Sequence, residues 1–189
     1  AAGLFNAGYQ LVLGAFVVPF AISAAAYPAL SRAAHDARAF RRHAGATFVA
    51  VVALGLLACA TMWLGAPVLL RILYGKAYLD GVGAFRILVL AVPFMFATTF
   101  LGVALQARNQ ASHVSLAAGL NLATAVVLNL VLVPRMGLSG TSVAVVVTEV
   151  LSLVWMALLL ARGFRAGHEG HSPAPTGAAE VHFPDTGDA

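Results

Sequence analysis

Five stretches of this 189-residue chain are long and apolar enough to cross a lipid bilayer as helices. A bilayer core of about 30 Å needs roughly 20 helical residues, because each residue rises about 1.5 Å. The predicted spans are 4–30, 44–70, 82–105, 112–133 and 138–161. Helix is the expected state, since lipid cannot satisfy the open backbone groups of a strand. The sequence therefore predicts an all-α integral membrane protein whose transmembrane domain covers residues 1–165.

The composition supports a lipid environment rather than a large soluble core. Hydrophobic residues make up 61% of the chain and charged residues 10%, whereas soluble domains average about 25% charged residues. A soluble chain of this length would need polar groups to cover its surface, and here they are scarce. The single cysteine, Cys59, excludes an intrachain disulfide and a multi-cysteine metal site.

The two ends of the chain differ in character. The first residues are apolar and lack an initiator methionine. Span 4–30 is also longer than a signal-peptide core of roughly 7–15 residues, so we expect the chain to begin within a longer protein. Residues 166–189 are poor in large apolar groups and predict a disordered tail. His168 and His171 lie in this tail, but two ligands on a disordered segment make a poor metal site. We therefore predict no metal and no cofactor.

Basic residues between the spans predict the orientation. Loop 31–43 holds four arginines, and Arg108, Arg162 and Arg165 bring that side of the membrane to seven basic residues. The other side has three, or four if Arg86 is included. The side richer in Lys and Arg is normally cytoplasmic. The C-terminal tail is therefore predicted to be cytoplasmic in a multi-pass protein of the cell membrane.

Glu149 lies near the centre of the fifth span. An acidic group at that depth costs on the order of 3 kcal/mol on insertion scales, so it should face protein or water. Ser142 and Ser152 share its helical face, and Thr148 is adjacent. Two interpretations stay open. Glu149 is either a proton- or substrate-linked carboxyl, or a protonated glutamate that bonds a neighbouring helix.

Other polar residues within the spans allow two interpretations each. Arg86 lies near the outer end of the third span. It either snorkels to the headgroups or lines a path for an anionic substrate, because guanidinium matches phosphate oxygens bidentately. Asn121, Thr124 and Asn129 occupy a broad side of the fourth span. They either bond neighbouring helices or line a hydrophilic cavity.

Two segments resemble the C-terminal half of polysaccharide-biosynthesis flippases. They are LLRILYGKAYLDGVGAFRILVLAVPF and ALQARNQASHVSLAAGLNLATAVVLNLVLVPRMGLSGTSVAVVVTEVLSLV. This family belongs to the MATE-like MOP superfamily, which also holds the MATE drug exporters and the lipid II flippases. The matching elements are Tyr74-Gly75, Tyr78, Gln106 to Gln110, Asn121, Asn129, the 134–137 turn with Gly140, and Glu149.

The resemblance implies a fold and a function. Such proteins have twelve to fourteen helices in two lobes around a central cavity, and this chain would hold five of the six helices of the second lobe. The implied activity is translocation of an undecaprenyl-diphosphate-linked oligosaccharide for envelope polysaccharide synthesis. Arg86, Asn121 and Asn129 would bind substrate and Glu149 would couple an ion. The implied partners are membrane lipid, the lipid-linked glycan and the N-terminal lobe of the same protein, with no nucleic acid.

Three alternatives remain at this point. The first is a cation-coupled MATE-type drug exporter, which the scarcity of acidic residues in the spans disfavours. The second is a membrane-embedded enzyme such as a polysaccharide polymerase or acyltransferase. The sequence shows no Gly-rich phosphate loop, paired acidic motif or nucleophile with a plausible base, so we predict no enzyme and no catalytic residue. The third is a non-transporting scaffold, which would need no polar stripe.

Overall fold

The computed structural model describes residues 2–169, which form seven α-helices and one short 3₁₀ helix, with no strand among them. In chain order these are α1 (Ala2–Ala15), α2 (Val17–Arg32), α3 (Ala37–Tyr74), the 3₁₀ helix (Lys76–Gly81), α4 (Val82–Val89), α5 (Val92–Ala107), α6 (Ala111–Met136) and α7 (Leu138–Glu169). The predicted tail thus begins within α7, and residues 166–169 are helical. Its remainder, 170–189, lies outside the described residues, so disorder there stays a prediction.

The first predicted span is built from two helices, α1 and α2, that meet at Phe16. Pro19 has no N–H and cannot bond the carbonyl of Ala15. The N–H of Phe16 donates to the carbonyl oxygen of Leu13 at 3.0 Å, which is the tighter i−3 pattern of a 3₁₀ turn. Together the two helices still supply a continuous candidate span, Gly8–Arg32.

The second span, α3, is a single helix of 38 residues. It begins at Ala37, earlier than the predicted start at 44, because Asp36 caps it. The Oδ1 atom of Asp36 accepts hydrogen bonds from the backbone N–H groups of Arg38 (2.8 Å) and Ala39 (3.1 Å), two of the donors that a helix start leaves open. At about 57 Å, α3 is longer than the hydrocarbon core. Both of its ends therefore reach the headgroup regions.

The third span is broken into α4 and α5, which are bent by 41°. Pro93 lies in the first turn of α5, where its missing N–H is tolerated, but it cannot bond the carbonyl of Val89. At the break, the N–H groups of Leu90 and Ala91 donate to carbonyls three residues earlier. The region 82–105, expected as one helix, therefore changes direction at the end of α4.

The centre of the described lobe is α5. It packs against α2, α3 and α7, and most of its residues are buried. A Cβ atom added at Gly55 of α3 would lie 3.1 Å from the Cα of Pro93 and from the side chain of Phe96. Small residues at such crossings let membrane helices approach closely. Gly55 therefore sets the distance between α3 and α5.

The last two helices, α6 and α7, form a hairpin joined at Gly137. Gly137 has φ +58°, a conformation that favours glycine. A Cβ added at Gly140 of α7 would lie 2.5 Å from the carbonyl oxygen of Leu132 in α6. The two backbones are thus in direct contact near the turn. The helix α6 continues through Pro134, so the turn expected at 134–137 is confined to its last position.

The outer surface of the lobe is apolar along the long helices. Val17, Leu64, Ile72 and Leu130 are each at least 70% exposed. Such a surface suits lipid, whereas soluble monomers rarely expose large contiguous apolar patches. Four helical segments of the described chain are long and apolar enough to cross a membrane, and the bent α4–α5 pair is either a fifth, broken span or a re-entrant loop. The prediction of an all-α integral membrane fold is confirmed, with four or five candidate spans among the described residues.

Candidate functional site

A hydrogen bond between Thr98 of α5 and Glu149 of α7 is the first feature of the candidate site. The Oγ1 atom of Thr98 and the Oε2 atom of Glu149 are 3.1 Å apart. Glu149 lies eleven residues after Leu138, the first residue of α7, which is about 17 Å along the helix. The carboxyl group thus meets the central helix of the lobe at mid-depth instead of facing lipid.

The same threonine hydroxyl has a second acceptor within reach. Its Oγ1 atom is also 3.1 Å from the carbonyl oxygen of Met95. A hydroxyl has one proton and donates to one acceptor at a time. When Glu149 is ionised, Thr98 can donate to the carboxylate. When Glu149 is protonated, the carboxyl can donate to Thr98 while Thr98 donates to Met95. The direction of the hydrogen bond therefore reports the protonation of Glu149.

The polar stripe predicted on the fifth span faces the protein interior. Ser142, Thr148 and Ser152 are all buried. The Oγ1 atom of Thr148 and the Nε1 atom of Trp155 are buried without a hydrogen-bond partner in the described part of the chain. Buried polar atoms of this kind are costly unless they are bonded. Such atoms along one helix suit a region that a polar ligand or another part of the protein contacts.

Arg86 of α4 is held against Trp63 of α3. Its guanidinium carbon lies 4.7 Å from the centre of the indole ring, within the range of a cation–π interaction. The Nε–H group also donates to the carbonyl oxygen of Trp63 at 3.4 Å. The side chain is half-buried. Arg86 is therefore positioned by a neighbouring helix and is not simply extended towards the headgroups.

The two asparagines of α6 have different environments. The Nδ2 group of Asn129 donates to the carbonyl oxygen of Ala125 at 2.8 Å, one turn earlier in the same helix. The Oδ1 atom of Asn121 is buried without a hydrogen-bond partner among the described residues. Asn129 thus bonds within its helix, whereas Asn121 retains an acceptor for another group.

The predicted site residues have separate hydrogen-bond partners. Within residues 2–169 no hydrogen bond joins any two of Arg86, Asn121, Asn129 and Glu149. Asn121 and Asn129 are about 12 Å apart along α6, because eight residues separate them. The structure therefore provides a carboxyl site on α5 and α7 and a guanidinium site on α3 and α4. Their roles as binding and coupling residues stay predictions.

Sequence reasoning missed the partners of the two charged side chains. Thr98 lies in an apolar helix beside Thr99, and Trp63 lies in α3. A threonine pair and a tryptophan within membrane helices are the only signals that the sequence gives. Neither signal says which distant residue it contacts.

The described residues include no group of three or more His, Cys, Asp or Glu side chains that could hold a metal ion. The histidine pair raised by the sequence cannot be placed, because His171 lies outside the described residues. Cys59 of α3 is a free, half-buried thiol. The chemistry that the described site offers is therefore that of one carboxyl, one guanidinium and several neutral polar groups.

No protein-family model matches the chain, and no curated protein matches it. Its structure is similar to the outward-facing conformation of a multidrug resistance MATE family transporter of the MOP superfamily, with a TM-score of 0.75. The sequences are 18% identical, and the match covers 84% of this chain and 36% of that chain. This chain thus spans little more than a third of the transporter it matches. The likeness concerns the fold, because the matched helices are arranged as in a lobe of a MATE transporter.

Proposed function

We propose that this chain forms most of the C-terminal lobe of a flippase. The flippase moves an undecaprenyl-diphosphate-linked oligosaccharide across the cytoplasmic membrane for envelope polysaccharide synthesis. The observation that carries this proposal is the contact of Arg86, a permanent cation, with Trp63 of the neighbouring helix α3. The MATE-like fold and the resemblance of the two quoted segments to flippases support it.

The geometry of Arg86 suits a diphosphate. Its bond to the carbonyl of Trp63 uses the Nε–H group, one of five guanidinium donors. The terminal nitrogens keep the fork geometry that binds two phosphate oxygens at once. The contact with the indole ring restricts the positions that the guanidinium can take. The site therefore reduces the side-chain entropy that is lost when a phosphate binds.

The depth of this pair agrees with such a substrate. Trp63 precedes Arg71 by eight residues of α3, so it lies about 12 Å closer to the bilayer centre. This level is about 9 Å from the middle of the predicted span 44–70, in the outer part of the hydrocarbon core. A diphosphate joined to a membrane-embedded lipid tail would pass this level. Arg86 would attract it there while the tail stays in the bilayer.

Glu149 would supply the coupling step. Its protonation changes the hydrogen bond to Thr98, which joins the α6–α7 hairpin to the central helix α5. Two lobes that rock around a shared cavity need such a link between ion binding and helix position. In this account the other lobe supplies the remaining half of the cavity.

A cation-coupled drug exporter is the second candidate. It is favoured by the similar structure, which is a multidrug resistance transporter. Glu149 is the only acidic residue in the five predicted spans, and an exporter of this type could use it to bind a cation. Arg86 argues against this candidate, because a fixed guanidinium repels cationic drugs.

The proposal is tested with the intact protein in proteoliposomes. The lipid-diphosphate-linked oligosaccharide is incorporated into the vesicle membrane. Its transfer between leaflets is measured as the fraction of the glycan that a membrane-impermeant glycosidase can cleave. Arg86→Ala should slow transfer at least about tenfold, as expected for a lost charge-assisted hydrogen bond. Arg86→Lys should keep part of the rate, since it retains charge without the fork. Arg135→Ala removes a charge from an exposed position in the last turn of α6 and serves as control. An unchanged rate for Arg86→Ala would contradict the proposal.

A further inference from the structure

Two tyrosine rings lie against each other at the end of α3 that the arginine distribution predicts to be outside the cell. The ring centres of Tyr74, the last residue of α3, and Tyr78 of the 3₁₀ helix are 5.3 Å apart, with an angle of 32° between the ring planes. Tyr74 lies beyond the predicted span 44–70, by about 6 Å along the helix. These two rings, here called the tyrosine pair, therefore lie above the hydrocarbon core, where they can meet polar ligands.

The backbone fixes the tyrosine pair in place. Gly75 has φ 89°, a conformation that favours glycine. Its N–H donates to the carbonyl oxygen of Arg71 at 3.0 Å, and the N–H of Tyr78 donates to the carbonyl oxygen of Gly75 at 3.2 Å. The 3₁₀ helix also packs against α1, α3 and α4. A ligand of the tyrosine pair would therefore not have to order a loop before it binds, which reduces the cost of binding.

The tyrosine pair is accessible on one side. Tyr74 packs against the buried core of the lobe, and both tyrosines are half-buried. A Cβ atom added at Gly75, in the turn between them, would have no atom within 4 Å. Within residues 2–169 no hydrogen bond uses either phenol oxygen. The site thus offers aromatic surface, open space at the turn and two hydroxyl groups.

Charged groups of both signs flank the tyrosine pair. Lys76 and Asp80 belong to the same 3₁₀ helix as Tyr78, and Arg71 lies one turn before Tyr74. All three charged side chains are exposed, and none forms an ion pair among the described residues. The ammonium and guanidinium groups donate hydrogen bonds, whereas the carboxylate accepts them. The surroundings of the rings therefore suit a ligand that both donates and accepts.

A pyranose sugar has the chemistry that this surface offers. The C–H groups on one face of the sugar ring carry a partial positive charge and pack against the negative face of an aromatic ring. Its hydroxyl groups both donate and accept hydrogen bonds, and a carboxylate can accept two of them. A phosphate would use the cations alone, and an acyl chain would use the rings alone. A sugar uses the rings, the carboxylate and the cations together.

We propose that the tyrosine pair binds a pyranose unit of the transported glycan on the outer side of the membrane, with Tyr78 as the stacking surface and Asp80 as the hydroxyl acceptor. The identity of the glycan rests on the proposed function. The site itself is separate from Arg86, which addresses the diphosphate. Trp63, which contacts Arg86, lies about 16 Å before Tyr74 along α3. A diphosphate followed by a few sugar units is long enough to reach both sites.

The test measures sugar binding to the purified intact protein in lauryldimethylamine oxide, a detergent without a sugar headgroup. The probes are free cellobiose, maltose and N,N′-diacetylchitobiose, titrated by saturation-transfer NMR. Sorbitol, an open-chain polyol that has hydroxyls but no ring, is the comparison and should not bind. Tyr78→Ala should weaken disaccharide binding about threefold to tenfold, as expected for a lost aromatic contact. Tyr27→Ala removes a tyrosine that is 42% exposed near the end of α2 and should leave binding unchanged.

Two further variants keep the size of the side chain, so they test the site even if Tyr78→Ala fails to fold. Tyr78→Phe retains the ring and should keep most of the affinity, whereas Tyr78→Leu lacks the ring and should bind as weakly as Tyr78→Ala. Asp80→Asn should also weaken binding, because a charged acceptor is lost. Wild-type affinity in Tyr78→Leu, or equal binding of sorbitol, would overturn the proposal.

The result is independent of the transport assay. The disaccharides carry no phosphate, so their binding does not depend on the diphosphate contact proposed for Arg86. Normal glycan transfer by Arg86→Ala would contradict the flippase mechanism and leave the sugar titration as it stands. Absence of binding for all three disaccharides would overturn the sugar site alone. The tyrosine pair would then be an aromatic anchor at the membrane surface.

Discussion

Thr98 and Glu149 connect the most buried helix of the lobe, α5, to the hairpin formed by α6 and α7. Their oxygens are 3.1 Å apart, and the threonine hydroxyl is equally far from the carbonyl of Met95. The Thr98 hydroxyl can donate to Glu149 when the carboxyl is ionised, and to the carbonyl of Met95 when the carboxyl is protonated and itself donates to Thr98. The link between protonation and helix contact therefore exists in the lobe itself.

Glu149→Gln separates a coupling role from a packing role. Glutamine has the size of glutamate and can still donate to Thr98, but it cannot ionise. We expect the variant to fold with an unfolding midpoint within a few degrees of the wild type, while ion-driven transport falls at least about tenfold and loses its dependence on the proton gradient. Transport in proteoliposomes with and without a gradient measures this. Wild-type transport by Glu149→Gln would leave the carboxyl with a structural role only.

Thr98→Val should destabilise the lobe more than Thr99→Val. Thr98 bonds both Glu149 and Met95, whereas Thr99 donates only to the carbonyl of Met95, at 2.7 Å. Losing the partner of a buried carboxyl costs about 1–3 kcal/mol, compared with roughly 1 kcal/mol for an ordinary hydrogen bond. Thermal unfolding of both variants in one detergent gives the difference. The reverse order would show that the Thr98–Glu149 contact adds no stability.

Gly140→Ala tests the contact between α6 and α7. The new Cβ would lie 2.5 Å from the carbonyl oxygen of Leu132, and a backbone atom cannot rotate away. We expect a loss of roughly 1–3 kcal/mol from overpacking. Gly119→Ala in α6 has no atom within 4 Å of the new Cβ and should be neutral or stabilising by up to about 1 kcal/mol. Equal unfolding midpoints for the two variants would mean that the helices are further apart.

Cysteine labelling tests the orientation, after Cys59 has been changed to Ala. His35 and Ala77 are both exposed and lie near opposite ends of α3. If loop 31–43 is cytoplasmic, as its four arginines predict, a cysteine at His35 should react with an impermeant thiol reagent only after cell lysis. A cysteine at Ala77 should react in intact cells. The opposite pattern would invert the lobe and place Arg86 near the cytoplasmic surface.

The apolar runs made the membrane-spanning helices predictable, because the need for roughly 20 apolar residues depends on local sequence alone. The residues at which these helices begin, end or break were harder to predict from the sequence. The cap at Asp36 lengthens α3 at its start, and Pro93 divides the third span. Asp36 and Pro93 are both visible in the sequence, but a hydropathy average over a window of residues does not register a single capping residue or proline. The break at Phe16 similarly depends on one proline.

The contacts of the charged side chains could not be predicted. Thr98 and Glu149 are 51 residues apart, and Trp63 and Arg86 are 23 apart. Which faces of two membrane helices meet depends on packing of small residues such as Gly55 and on helix rotation. A single sequence gives the faces but not their partners. The sequence therefore predicted the depth of Glu149 in its span, whereas its hydrogen bond to Thr98 is seen only in the structure.

The most direct test of the central claim is the choice of substrate by the intact protein. Proteoliposomes would contain a lipid-diphosphate-linked oligosaccharide in one experiment and a cationic dye in a parallel one, under the same proton and sodium gradients. The account predicts transfer of the lipid-linked oligosaccharide between leaflets, at least about tenfold slower with Arg86→Ala, and no dye movement above protein-free vesicles. Gradient-driven dye transport without transfer of the lipid-linked oligosaccharide would contradict it and identify a drug exporter.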